Sequence, residues 1–428
     1  MTIHRNFLEY YQQLRMIGLF GFLLFLPISI AFAQICLSLL ALSYLAEIFL
    51  TRHFRWPHTP INHPLYCYIG LLLLTTLCAH NIWTSVQSLE GMLTISVFYL
   101  IYLSVKDLEH LKKLFTVLFI SFIFAASYGI LQHYLEVDLF RLTKPINLLK
   151  HVNDDLKAPV RISGFLSYMT FSGQLAMIMP LLCASLLIVQ SHLKRILLLI
   201  SLFLSGLALL WTYTRSGWLA MFCALLPFGY VKNKKMTIFL IILFAILLFS
   251  LLVLEQHDII VFPTKLGERL LSMFHAKENL ERIYTWQNSL DIIKDYPFTG
   301  IGKGNFSKIV DQYRSSYGDF KFTSRAHAHN NVLQVAVEGG IATLACFLWL
   351  WFVMFQSVYH AYQYAHTGNR TIKILALGCL GALIAFFVQG GFEHNFGDSE
   401  AVMLMWTIMA FGMKLHDMVY PFSEKMRI

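Results

Sequence analysis

Apolar side chains in this chain come in runs about as long as a membrane is thick, separated by short polar stretches. A spanning helix needs roughly 20 mostly apolar residues. Such runs are read at 16–33, 34–50, 65–82, 90–105, 111–132, 168–191, 195–213, 216–231, 236–255, 332–358, 371–391 and 400–418. A backbone in lipid must satisfy its own polar groups, which favours helices over irregular chain. The pattern therefore predicts an all-α integral membrane protein of about 12 transmembrane helices, forming one polytopic domain over 1–428.

Polar positions complete the picture. The longest hydrophilic stretch, 256–331, falls between the ninth and tenth runs and is long for a connection without structure of its own. Within it, Ile283, Trp286, Leu290 and Ile293 recur at helical spacing. An amphipathic helix over 278–295, lying at the membrane surface, is the expectation. Pro297 ends it, and Gly300, Gly302 and Gly304 follow as a turn.

Charge sets the orientation. With the N-terminus in the cytoplasm, seventeen of the 33 Lys and Arg fall on inner segments, among them Arg52, Arg55, Lys112, Lys113, Lys234 and Lys235. The short outer loops near 33, 83–89 and 392–399 carry none, and the one at 214–215 carries only Arg215. The other fifteen lie in the long outer loops 133–167 and 256–331, and long loops cross largely regardless of charge. Both termini are therefore expected in the cytoplasm, with 256–331 outside. Ala31-Phe32-Ala33 has the look of a signal-peptidase site, but another apolar run follows at once. An uncleaved first helix is expected.

Composition agrees. The chain is 57% hydrophobic and 13% charged, against roughly a quarter charged in soluble domains. The net charge of +9 needs no nucleic acid to explain it, because the positive-inside bias supplies it. The seven cysteines lie in apolar runs without metal spacing and read as small apolar residues.

Several outer residues are candidates for chemistry. Arg215, in Thr214-Arg215-Ser216-Gly217-Trp218, either snorkels to headgroups or binds an anion through its planar fork. Arg282 is either a solvated partner of Glu281 or a second anion contact, and Arg161, ahead of Ile162-Ser163-Gly164, poses the same choice. His327 and His329 form an HxH pair with no third ligand at ordinary spacing, so a general base or a packing role competes with zinc. Glu393, His394, Asp398 and Glu400 crowd the last outer loop. They orient a basic partner such as Arg215 or His329, hold a divalent ion, or simply face solvent. Gly300-Ile301-Gly302-Lys303-Gly304 follows a proline and no strand, so it is not a nucleotide fingerprint.

Three stretches together resemble the O-antigen ligase and polymerase superfamily of bacterial envelope glycosyltransferases. They are Thr214–Trp218, Arg282 with Trp286 and then Asp295–Phe306, and His329-Asn330-Asn331-Val332-Leu333-Gln334 leading to Glu338-Gly339-Gly340. The resemblance implies transfer of a glycan from undecaprenyl diphosphate to an acceptor at the periplasmic face of a Gram-negative inner membrane. It implies that Arg215 and Arg282 hold the diphosphate, that His329 deprotonates or positions the acceptor hydroxyl, and that Arg161, Asn330, Glu393 and His394 contact substrate. It implies no metal and no other cofactor. One large outer loop between helices nine and ten looks more like a ligase acting on lipid A–core than a polymerase. A transporter or flippase of lipid-linked glycan is the alternative of another class. It would place charge near the membrane midplane, whereas here polar residues gather outside.

Overall fold

The computed structural model describes residues 2–54, 56–141, 160–232, 276–314, 326–365 and 369–420. The span expected at 236–255 and the first part of the long loop lie outside the described residues. The helices are α1 (Thr2–Phe25), α2 (Ile30–Thr51), α3 (Asn62–Leu77), α4 (Ile82–Ser88), α5 (Ile95–Ser104), α6 (Leu108–Leu135) and α7 (Tyr168–Ile188). They continue with α8 (His192–Trp211), α9 (Arg215–Lys232), α10 (Ala276–Asp295), α11 (Phe306–Tyr313), α12 (Asn331–Tyr364), α13 (Arg370–Gln389) and α14 (Ser399–Val419). Among the described residues, eight spans are long and apolar enough to cross a membrane, with α4, the turn after it and α5 counted as one.

Boundaries differ from expectation where sequence punctuation was underread. The first two helices separate at 26–29, around Pro27, and not at residue 33. Proline lacks the N–H that a continuing helix needs. Beyond α3, the expected run 65–82 ends early, and Asn81 starts α4 by accepting the Thr84 N–H at 2.9 Å.

The bundle is arranged around α13, which packs on α7, α9, α12 and α14. Its core holds Phe98, Phe122, Phe171, Phe386, Trp406 and Phe411, all buried. By contrast α8 turns Leu193, Ile196 and Phe203 outward. Lipid tails cover such side chains at no hydrophobic cost.

Two features lift a polar layer off this core. Helix α12 is broken at Gly340, where φ is 74°. Only glycine adopts that conformation freely, and a Cβ there would collide with the Phe298 carbonyl. The break separates a short leading segment, 331–339, from the long remainder of the helix. Against that segment lies the described part of the long loop, and Ile292, Ile301, Phe306, Ile309, Val310 and Ala328 form a small apolar cluster with Val337 of α12.

The amphipathic helix exists as α10, but its packed face is not the expected one. Leu290 points outward, while Thr285, Asn288, Ser289 and Ile292 are buried. Small polar residues suit this face because their hydroxyls bond back to the helix, Thr285 to Glu281 O and Ser289 to Thr285 O, each at 2.7 Å. A hydrophobicity count cannot see that kind of contact.

Candidate active site

The site forms where three segments meet: α10, the stretch Ala326–Asn331 before α12, and the loop from Gly390 to Asp398 between α13 and α14. Glu393 is its centre. The carboxylate is buried, with one oxygen accepting from the Arg282 guanidinium and the other 3.3 Å from His329 Nδ1. Burial pushes the Glu393 carboxyl up, but the His329 hydrogen bond and the Arg282 charge outweigh it and hold it below its ordinary range. An ionised carboxylate only accepts, so His329 must donate from Nδ1. In the neutral tautomer with that donor, Nε2 is the atom able to accept a proton.

The two neighbouring histidines are tuned differently. His327 Nδ1 accepts the His329 backbone N–H at 3.2 Å. Burial, together with the adjacent His329, brings the His327 pKa down to about 4. His394 lies with its ring 5.3 Å from that of His327 and bonds Asn331 Oδ1 at 3.3 Å. Burial and the charges of His327 and Lys303 hold it well below the usual histidine value. Both rings are therefore neutral near pH 7, and of the three only His329 pairs with a carboxylate among the described residues. His329 itself has a φ of 50°, an unusual conformation for a non-glycine residue, of the kind that clusters at functional sites.

A polar chain running beneath the histidines accounts for the way the sequence motifs travel together. Gly304 N–H and Gln334 Nε2 both donate to Glu338 Oε1, at 2.8 and 2.9 Å. Gln334 Oε1 accepts from Ala328 N–H at 2.7 Å, between the two histidines. The carbonyls freed by the break in α12 are taken up as well. Ile301 N–H reaches Val337 O and Gly302 N–H reaches Glu338 O, each at 2.9 Å. Gly302, at φ 84°, sits so close to Ala79 and Ser85 that a side chain would not fit. The glycine turn is thus a clamp between the broken helix and the α3–α4 corner. Glu338 falls inside the expected span 332–358, yet the break places it in the polar layer. The sequence shows Gln334 and Glu338 as part of a motif and assigns them no role, although their i,i+4 spacing is a readable sign.

The remaining candidates are placed as follows. Arg215, the first residue of α9, donates to Asn279 Oδ1 at 3.0 Å. Asn279 and Arg282 stand three apart on α10 and so share a face. Trp286, one turn on, packs against Phe392 with ring centroids 6.4 Å apart. Both candidate cations therefore meet one side of α10. Asn330 caps α12, accepting from Leu333 N–H at 3.0 Å and donating to Gly391 O at 2.9 Å. Both ends of its amide thus serve the fold. Arg161 lies at the end of α8, donating to Thr212 O at 3.0 Å and Tyr213 O at 3.3 Å. Asp398 is apart from Glu393. It accepts from Thr170 of α7, and burial plus a hydrogen bond with Glu400 push it up to about 7. The last loop is not a solvated one, since Glu393 and Asn395 are both buried. Among the described residues, no group of three or more His, Cys, Asp or Glu is placed to hold a metal ion.

Together the site offers cations on one helix face and a histidine oriented by an ionised carboxylate. That arrangement suits removal of a proton from a hydroxyl beside an anionic leaving group.

No curated protein matches the chain. The family model described as O-antigen ligase matches residues 200–348, a stretch that includes Arg215, Arg282 and His329 and leaves out Arg161 and Glu393. That match over residues 200–348 supports membership of the O-antigen ligase and polymerase superfamily.

Proposed function

We propose that the protein is an O-antigen ligase, a membrane glycosyltransferase that moves a glycan from undecaprenyl diphosphate to lipid A–core at the periplasmic face of the inner membrane. The observation that carries this reading is the Arg282–Glu393–His329 chain, with Arg215 joined to the same face of α10 through Asn279.

The chemistry follows from those groups. The acceptor hydroxyl attacks the anomeric carbon and gives its proton to His329 Nε2. The bond between that carbon and the diphosphate oxygen breaks, and its electron pair leaves with the diphosphate. Arg215 and Arg282 balance the charge that grows on the leaving oxygens. Planar guanidinium forks match phosphate oxygens better than ammonium groups do. A diphosphate is already a good leaving group, so the site needs no second carboxyl to protonate it, unlike a glycoside hydrolase. Glu393 keeps the His329 ring in the right tautomer and stabilises it once protonated. A polymerase of the same superfamily would use the same chemistry on a carrier-linked acceptor, and the single large outer loop favours the ligase.

Lipopolysaccharide and the lipid-carrier fraction from a strain lacking the gene separate these readings. Core without O-chain, with long glycan stranded on the carrier, is the expected result. Core bearing a single repeat would make the protein a polymerase, and an unchanged ladder would overturn both.

A further inference from the structure

Arg161 is the one arginine of the candidate set that the sequence left as a donor contact and the structure ties to backbone. Its guanidinium reaches Thr212 O at 3.0 Å, Tyr213 O at 3.3 Å and Thr214 Oγ1 at 3.4 Å. The same group lies 3.6 Å over the Tyr168 ring at the start of α7. The next residue, Ile162, donates its N–H to Trp211 O at 3.1 Å and is fully buried.

These contacts surround the turn that carries Arg215. The last carbonyls of a helix lack partners within it, and a cation is favoured at that end. The turn after α8 also passes through Tyr213 at φ 51°, a left-handed conformation that strains a residue with a side chain. Thr212, Tyr213 and Thr214 are all buried, so their carbonyls cannot turn to water instead. Thr214 then accepts from Gly217 and Trp218 N–H at 3.1 and 3.2 Å, which starts α9 at Arg215. A strained turn, two carbonyls just past the end of α8 and an aromatic platform thus converge on one guanidinium.

We propose that Arg161 is a positioning residue: it locks the turn between α8 and α9 and so aims Arg215 at the donor diphosphate. The proposal rests on the reading of Arg215 as a diphosphate contact. Arg161 acts through the backbone of 212–214 and does not itself hold the donor.

Binding of farnesyl diphosphate to the full-length protein in detergent tests it, using a double-mutant cycle. Arg161→Ala is expected to weaken binding about tenfold in the wild-type background, the size of a lost charged hydrogen bond, and to change nothing further when Arg215 is already Ala. Losses that multiply in the double variant would mean that Arg161 touches the diphosphate, and would overturn the proposal. So would full binding by a folded Arg161→Ala protein. Should that variant fail to fold, judged by thermal unfolding, Arg161→Lys carries the test. An ammonium can still donate to two carbonyls, so binding within about threefold of wild type is expected. A fork holding phosphate would not be replaced by lysine, and a full loss would overturn the proposal. Undiminished binding by Arg215→Ala alone would instead remove the donor-binding reading on which the inference stands.

Discussion

The bundle interior around Trp406 and the polar layer around Glu393 are both closed to solvent, but different forces close them. In the first, Phe98, Phe386, Met405 and Leu404 fill space. Any apolar group of similar volume serves nearly as well there. In the second, Glu393, Asn331, Asn395, Gln334 and Glu338 are buried polar groups, each acceptable only with its own partner in place. Packing is tolerant and directional bonding is not. The layer that holds the candidate site is therefore the part of the protein that substitution should damage most.

Substitutions that remove the reacting groups should show the largest effect. His329→Ala, Arg282→Ala and Arg215→Ala should each lower transfer by roughly 100-fold or more while the protein stays in the membrane, read from the lipopolysaccharide ladder beside an immunoblot. A normal ladder with well-expressed His329→Ala protein would remove that residue from the mechanism. Arg215→Lys should restore little.

Glu393→Gln comes next. It keeps the shape but leaves the Arg282 guanidinium without its counter-charge and frees the His329 tautomer. Breaking a buried pair costs about 3–5 kcal/mol, so lower thermal stability and a transfer loss of at least tenfold are expected together. Equal stability of Glu393→Gln and wild type at pH 7 would show that the carboxylate does not organise the layer.

Acid should act on the polar layer through His327. Its pKa lies near 4 in the folded protein against 6.5 for the free side chain. Between those values the unfolded chain binds a proton that the folded site refuses, so stability rises with pH across that window and falls on acidification from about 6.5. His394 is held low as well, so His327→Asn should reduce the slope of the thermal-unfolding profile between pH 6.5 and 4 without abolishing it. An unchanged slope would place the titration elsewhere.

The smallest effect belongs to the bundle. Leu404→Met, at a fully buried position of α14, should cost less than about 1.5 kcal/mol and leave the ladder unchanged. A lost ladder would mean that the core is as exacting as the site.

Much of this division was legible in the chain. The expected runs other than 236–255 fall on described helices, though their ends moved at Pro27 and Asn81 because the local punctuation outweighed hydropathy. Arg282, His329 and Glu393 were each visible as candidates, but nothing in their spacing joined them, with Arg282 and Glu393 111 positions apart. The buried face of α10 differs from expectation because serine and threonine can line a packed surface when their hydroxyls find carbonyls at close range. Gln334 and Glu338 are legible as part of a motif but not as a polar network, because an apolar run continues through Gly340.

The sequence by itself determined that the chain is helical and suited to a membrane, where its longest polar segment falls between apolar runs, and which residue types are available for chemistry. Those properties depend on composition and period, which any stretch of about 20 residues carries within itself. The tertiary structure alone decided that Arg282 and His329 share one carboxylate, that Arg215 meets the same helix face, and that Arg161 serves the turn and not an open surface. Hydrogen bonds act over about 3 Å, and only folding brings residues from opposite ends of the chain within that distance.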